Sequence, residues 1–516
     1  MTTSAETPRT TESKTSVEEP RDGGRPEKNG AAADTGSSAP APAEKETKTT
    51  EQPDMHAVLK TMRAAHRAAP APSYEQRIEW LDKLEDALLA HKDDIVRAIT
   101  KDFGNRSRHE SLVSEVFVVI GAIKHARDNL REWMEPEGRE VTWAFLPATA
   151  ELQIQPLGVV GIISPWNYPV QLAFSPLVGA LAAGNRVIIK PSELTPHTAE
   201  LIDTIVREIF SPDQVVVITG GPEVGEAFSR LPFDHLVFTG STRIGKVVMR
   251  NASENLTPVT LELGGKSPTI VGDDFAIEEA ALRIMAGKCF NAGQTCIAPD
   301  YVFVPTKKVE AFVAACKKAV TRLYPNLRTN EDYTTVVNER HFDRLRGYLD
   351  DARDKGARIV ELSDGEPDRG SRKMGPILVV QPSEETVVMQ EEIFGPILPI
   401  VTYEKLDEAI EYVNDHPRPL ALYYFGHDQA SIDHVLEKTI SGGVCINETM
   451  LHVAQDDLPF GGVGPSGMGH YHAHEGFLSF SKQKPVFYQS RLNARALLLP
   501  PYGKAANMFF RVTLGK

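Results

Sequence analysis

The chain has 516 residues, a formal net charge of −14, 41% hydrophobic residues and four cysteines. That length carries about three packed units or two large ones, and the acidic balance excludes a protein that neutralises nucleic-acid phosphates with a basic face. No apolar run reaches the ~18–20 residues that span a bilayer, and four scattered cysteines form no disulfide framework, which points to a reducing, cytoplasmic setting.

From Thr2 to Asp54 the only Leu, Ile, Val, Phe, Trp or Tyr is Val17. Such a segment has little to bury against the entropy cost of ordering, so residues 1–54 read as a disordered tail. Its eleven acidic residues argue against a processed leader, which avoids them. Folding is expected to begin at Met55. Ser73-Tyr-Glu-Gln76 fits a capping box, and Ile78, Leu81, Leu84 and Leu88 follow at helical spacing. A further helix is expected from about His109 to Trp133.

The pattern then changes. GVVGIIS (158–164), RVIIK (186–190), VVVIT (215–219) and HLVFT (235–239) are short β-branched runs separated by helical stretches such as Thr195 to Phe210. Strands and helices alternating at that period predict an α/β fold with a parallel, doubly wound sheet, which binds ligands at the carboxyl ends of its strands. A second set, YVFV (301–304), ILPIV (397–401), ALYYF (421–425) and GVCI (443–446), predicts another α/β unit.

The strand ends hold the polar residues. Asn167, in Ser164-Pro-Trp-Asn-Tyr-Pro169, has an amide suited to an oxyanion, or is an ordinary turn residue. Lys190 and Glu193 sit three apart; the carboxylate suits ribose hydroxyls, although taken alone a solvated helix start explains it better. Gly240-Ser241-Thr-Arg-Ile-Gly245-Lys246-Val247 nearly spells a phosphate loop, but Val247 stands where that motif needs Ser or Thr. What remains is a small-residue turn whose free helix amides can receive a pyrophosphate. Glu262 precedes paired glycines, and Cys296 lies among small and polar residues in Asn291-Ala-Gly-Gln-Thr-Cys-Ile-Ala-Pro-Asp-Tyr301. A thiolate with a carboxylate base suits covalent catalysis; a buried structural cysteine is the plain alternative.

In order along residues 57–490, PWNYP, KPSE, FTGSTRIG, LELGGKSP, GQTCIAPDY, EEIFGP and LPFGGVGPSGMG resemble the aldehyde dehydrogenase superfamily, in its class-3-like branch. DFGNRSRHES, GMGHYHAHEGFLSFSKQKPV and NARALLLPPYGK are most similar to the coniferyl aldehyde dehydrogenases within it. The resemblance implies NAD(P)+-dependent oxidation of an aldehyde to its acid through a thioester on Cys296. Glu262 matches the general base and Asn167 the oxyanion donor. Trp166, Lys190, Glu193, Gly240, Ser241, Gly245, Glu392 and Phe394 match cofactor positions. NAD is the expected cofactor because Glu193 should repel a 2′-phosphate, with NADP possible.

The implied architecture has a Rossmann-type NAD(P)-binding domain at 55–134 and 152–261 and a catalytic domain at 262–465. An oligomerisation arm and C-terminal tail would take 135–151 and 466–516, in a homodimer. The expected substrate is an apolar, aromatic aldehyde such as coniferaldehyde. Fatty or small aromatic aldehydes are the alternative, and a non-catalytic binding or structural protein is the alternative of another class. No metal is expected: His470, His472 and His474 alternate without an acidic or cysteine partner. His452 and Tyr471 are candidates for the substrate entrance, or for ordinary packing.

Overall fold

The computed structural model describes residues 54–515 other than 366; the tail read at 1–54 lies outside it except for Asp54. That residue caps the first helix, Met55–Ala68, by accepting from the His56 amide. Ser73 and Gln76 form the full capping box of the 30-residue helix Tyr74–Phe103, which buries Leu81, Leu84 and Leu88.

The stretch expected as one helix to Trp133 is helical throughout, yet not uniform. Arg108–Ser111 is followed by a wide π turn, Leu112–Phe117, before a regular helix over Val118–Trp133. Such turns interrupt the regular register and cluster at functional sites.

Three sheets organise the rest. The first is six-stranded, in the order Gly467–Met468, Val259–Glu262, His235–Thr239, Val159–Ile163, Arg186–Lys190, Val215–Val217. Its pairs are parallel except for the short Gly467–Met468 edge. The central strands Val159–Ile163 and His235–Thr239 are buried along their whole length, as β-branched runs covered on both faces must be. Helices Gln171–Ala182, Pro196–Ile209 and Thr242–Ser253 make the crossovers.

The second sheet has seven strands: Arg358–Glu361, Ile377–Val380, Ile397–Tyr403, Tyr301–Pro305, Pro268–Val271, Ala421–Phe425 and Gly443–Ile446. Only the first pair is antiparallel. A third, antiparallel sheet joins Glu137–Arg139, Thr149–Pro156 and Ser481–Tyr488. All eight strands expected from the sequence are present. Val259–Glu262 and Pro268–Val271 are strands beyond those eight. No described helix is long and apolar enough to cross a membrane.

Candidate active site

Four adjacent strands of the six-stranded sheet end on residues singled out above. Val159–Ile163 runs into Trp166 and Asn167, Arg186–Lys190 stops at Lys190, His235–Thr239 delivers Gly240, and Val259–Glu262 stops at Glu262. Parallel pairing puts those carboxyl ends on one side. There the buried Lys190 ammonium meets the exposed Glu193 carboxylate at 3.0 Å. Ser241 opens the helix Thr242–Ser253 without capping it by a side-chain bond, so the first-turn amides stay free for an anion. Gly245 lies buried in that first turn, beside Leu263.

Cys296 follows a loop of unusual backbone. Asn291 and Ala292 are left-handed at φ 51° and 50°, and Gly293 continues at 73°. Left-handed non-glycine residues cost about 1–2 kcal/mol each, so the loop must be held. The Gln294 side chain does much of that, donating to the Asn291 and Thr335 carbonyls at 3.0 Å each and accepting from the Val337 amide at 2.9 Å. Cys296 itself keeps partial exposure. Burial pushes its thiol up to about 12, and the nearby Glu392 and Glu262 carboxylates add to that.

Asn167 is buried, and its side-chain amide donates to the Gln294 carbonyl at 3.2 Å. One of its two N–H groups is therefore spent on orientation while the other is free. Tyr168 beside it bonds Thr295, the neighbour of Cys296, at 2.6 Å.

The two carboxylates are different. Neither oxygen of Glu262 has a hydrogen-bond partner, nor does Oε1 of Glu392. Burial raises Glu262 well above the usual carboxyl range. It raises Glu392 to about 8, with Asp300 adding and the Gly265 amide opposing. A Cβ on Gly264 would collide with the Glu392 carboxylate, so that position must lack a side chain. Buried polar atoms left without partners mark groups that await a water or ligand.

Lys266 ties the motifs together. Its ammonium bonds Asp300 and the carbonyls of Val388 and Glu391, and Asp300 accepts from the Ile393 amide at 3.0 Å. The result fixes EEIFGP against the thiol segment. Phe394 is left-handed at φ 47°, and its ring meets Trp166 edge-on at 5.4 Å between centroids. Arg344 holds the turn by donating to the Phe394 carbonyl at 3.3 Å.

Two groups of expected residues thus emerge. Cys296, Glu262, Asn167, Glu392, Phe394 and Trp166 surround the seam between the large sheets; Lys190, Glu193, Gly240, Ser241 and Gly245 line the strand ends beside it. Tyr471 is fully buried, and the charges of Glu262 and Cys296 both act on its hydroxyl. Both His452 nitrogens lack partners. Among the described residues no group of three or more His, Cys, Asp or Glu is placed to hold a metal. Sequence reasoning gave no role to Arg106, Glu110, Glu115, Gln294 and Arg344, which act through the backbone; Arg106, Glu110 and Gln294 stand inside the segments named above, and Glu115 and Arg344 stand outside them. A charged residue inside an otherwise apolar helical stretch is the signal that could have flagged Glu115.

A parallel sheet with an amide and a partnerless carboxylate at its carboxyl ends, facing a thiol and a half-satisfied carboxylate on neighbouring loops, defines an enzyme of covalent thiol chemistry built to take a dinucleotide. Residues 33–486 match the Aldehyde dehydrogenase family, and the chain belongs to it. It is 54% identical over 452 residues to a probable coniferyl aldehyde dehydrogenase of Pseudomonas aeruginosa, covering 87% of this chain and 94% of that one. It is 46% identical over 460 residues to a coniferyl aldehyde dehydrogenase of a Pseudomonas species, covering 88% and 95%. Among solved structures, a substrate-bound state of Staphylococcus aureus AldH superposes with a TM-score of 0.84 at 39% identity, covering 89% and 99%. The protein is an NAD(P)+-dependent aldehyde dehydrogenase.

Proposed function

We propose that the chain oxidises an apolar, aromatic aldehyde of the coniferaldehyde kind to its carboxylic acid. The observation that carries this reading is the 46–54% identity to coniferyl aldehyde dehydrogenases over nearly their whole length. Aromatic side chains near the thiol support it: Tyr168, Tyr423 and Tyr471 are all buried and all near Cys296, so the thiol sits in aromatic, apolar surroundings.

In this reading the Cys296 sulfur attacks the aldehyde carbon and the carbonyl oxygen becomes an oxyanion. The free N–H of Asn167 and the Cys296 backbone amide stabilise it. Collapse of the adduct expels hydride and leaves a thioester on Cys296. Glu262 then takes a proton from water, which attacks the thioester and releases the acid. Its empty lone pairs and lack of protein partners suit that task.

When bound, NAD(P)+ would supply the hydride acceptor. The residues present fit such a group: Lys190 and Glu193 would hold the adenosine ribose, and Gly240, Ser241 and Gly245 the pyrophosphate. Glu392 would take the nicotinamide ribose through its unsatisfied oxygen, with Trp166 and Phe394 beside the ring. The exposed Glu193 carboxylate favours NAD+ over NADP+.

The NAD(P)-binding domain takes 55–134 and 152–261 and the catalytic domain 262–465, with 135–151 and 466–516 as arm and tail. Trp143, Phe145, Leu146 and Phe487 are exposed around the three-stranded sheet, an apolar face suited to a homodimer. Four free thiols suit the reducing cytoplasm.

The test is the absorbance of reduced cofactor with NAD+ and NADP+ across coniferaldehyde, benzaldehyde and a long aliphatic aldehyde. The expected result is the highest kcat/KM with coniferaldehyde and NAD+. A clear preference for the aliphatic aldehyde overturns the aromatic assignment, and no turnover with any aldehyde overturns the catalytic one.

A further inference from the structure

The segment Arg106–Glu115 carries three charged side chains into the interior, none of which takes part in the chemistry above. Arg106 and Glu115 pair at 3.0 Å with both side chains wholly buried. A buried ion pair is weak support for stability, since desolvation offsets its attraction, and here the Arg106 Nε has no partner at all. Stability therefore does not explain the pair, and its contacts offer another reason.

The Arg106 guanidinium donates to the main-chain carbonyl of Asn167 at 2.7 Å, and Asn291, from the thiol loop, donates to the same carbonyl at 3.1 Å. Glu115 accepts from the amides of Val170 and Gln171 at 3.0 and 2.9 Å, so the loop is gripped at Asn167 and again three and four residues later. The guanidinium also lies over the Tyr168 ring, 4.7 Å from its centroid. Glu110 grips the other loop, accepting from the Asn291 amide at 3.2 Å and the Thr334 hydroxyl at 2.7 Å.

Side chains five apart on a regular α-helix point about 140° away from one another. The wide turn at Leu112–Phe117 relaxes that angle. It lets Glu110 and Glu115 serve two loops that pack against one side of the segment.

We propose that Arg106, anchored by Glu115, is a positioning residue that sets the Asn167 amide against the Cys296 loop. The inference rests on the reading of Asn167 as oxyanion donor. Arg106 touches neither substrate nor cofactor; it acts through the Asn167 carbonyl. A shift of about 1 Å in a catalytic group costs on the order of 10²-fold in rate, and an oxyanion donor is the group whose direction matters most.

The experiment is a double-mutant cycle on the full chain with Arg106→Lys, Asn167→Ala and both together. It reads kcat, both KM values and the fraction of enzyme with an alkylatable Cys296. Arg106→Lys is expected to lower kcat about 10–100-fold with the NAD+ KM and the alkylatable fraction unchanged. Asn167→Ala should lose about 10²–10³-fold, and the double variant should be no worse than Asn167→Ala within about threefold, because the amide being aimed is gone.

A merely structural role for Arg106 predicts instead that the two losses multiply, or that Arg106→Lys lowers only the active fraction. Either result overturns the proposal, as does wild-type kcat in Arg106→Lys. If Asn167→Ala alone keeps full kcat, the oxyanion reading fails first and is identified as the failure. Asn291→Gly, which suits the left-handed backbone and removes the second donor to the Asn167 carbonyl together with a 3.2 Å donor to the Gln294 carbonyl, gives the same cycle should Arg106→Lys not fold. Its expected loss is about three- to tenfold, again absent in the Asn167→Ala background.

Discussion

The amide side of the cleft and the carboxylate side are built in opposite ways. Around Asn167, Gln294 and Asn291 the side-chain amides bond named carbonyls, the carbonyl of Asn167 accepts twice, and one N–H of the Asn167 amide stays free. Around Glu262, which is buried, and Glu392, which is half-buried, three of four carboxylate oxygens have no protein partner. The first side is held in place by the protein alone, with a single donor left over, and must not move. The second is incomplete, and in the proposed function its empty acceptors take water and cofactor. The thiol sits between the two, on a strained loop.

The largest effect expected across this divide is at the thiol. Cys296→Ala should lower aldehyde oxidation on the order of 10⁴–10⁶-fold, read as reduced-cofactor formation at saturating substrate. Because burial holds the thiol near 12, alkylation of the free enzyme by iodoacetamide should quicken about tenfold for each pH step from 6 to 9, as the thiolate fraction grows. A flat profile would mean that the thiol is already ionised and that the carboxylate side does not act on it.

Glu262→Gln tests the incomplete side directly. Thioester hydrolysis should slow about 10²–10⁴-fold while the first turnover still releases one equivalent of reduced cofactor per site, giving a burst followed by a slow phase. The pH sign follows from burial, which raises the Glu262 pKa. The base works only when ionised, so wild-type kcat should climb as pH rises through that raised value. Glu262→Gln should lose the limb. Equal loss of burst and steady rate would assign Glu262 to an earlier step.

This division also separates what the sequence discloses from what it does not. Asn167 and Lys190 are legible because each stands at or just past a β-branched run, where a parallel sheet exposes its strand ends; Glu262 and Cys296 are legible from the glycines and small polar residues beside them. The capping box at Ser73 is legible because its bonds are local. The grip on those residues is not. Arg106 reaches Asn167 across 61 residues, and Glu110 reaches Asn291 across 181, distances at which no spacing rule operates. The left-handed backbone at Asn291 and Ala292 is equally silent, since Ala gives no hint of a positive φ. Local chemistry is written in the motif, whereas its alignment is written in tertiary contacts.

The smallest predicted effect lies at the edge of the incomplete side, where Glu193 faces solvent. Its carboxylate is 37% exposed and 3.0 Å from the Lys190 ammonium. Two unit charges about 4 Å apart in water interact by roughly 1 kcal/mol, and a 2′-phosphate carries more than one. Removing the carboxylate charge should therefore improve NADP+ relative to NAD+ by roughly tenfold in kcat/KM, since about 1.4 kcal/mol is a factor of ten. Glu193→Gln keeps an acceptor for the ribose hydroxyls and frees the Lys190 ammonium for the added phosphate, so NAD+ use should fall little while NADP+ use rises. The gain should shrink as salt is raised, because an exposed charge is screened within about 8–10 Å. If the ratio does not move in Glu193→Gln at low salt, this carboxylate does not select the cofactor, and the choice lies in the buried part of the site.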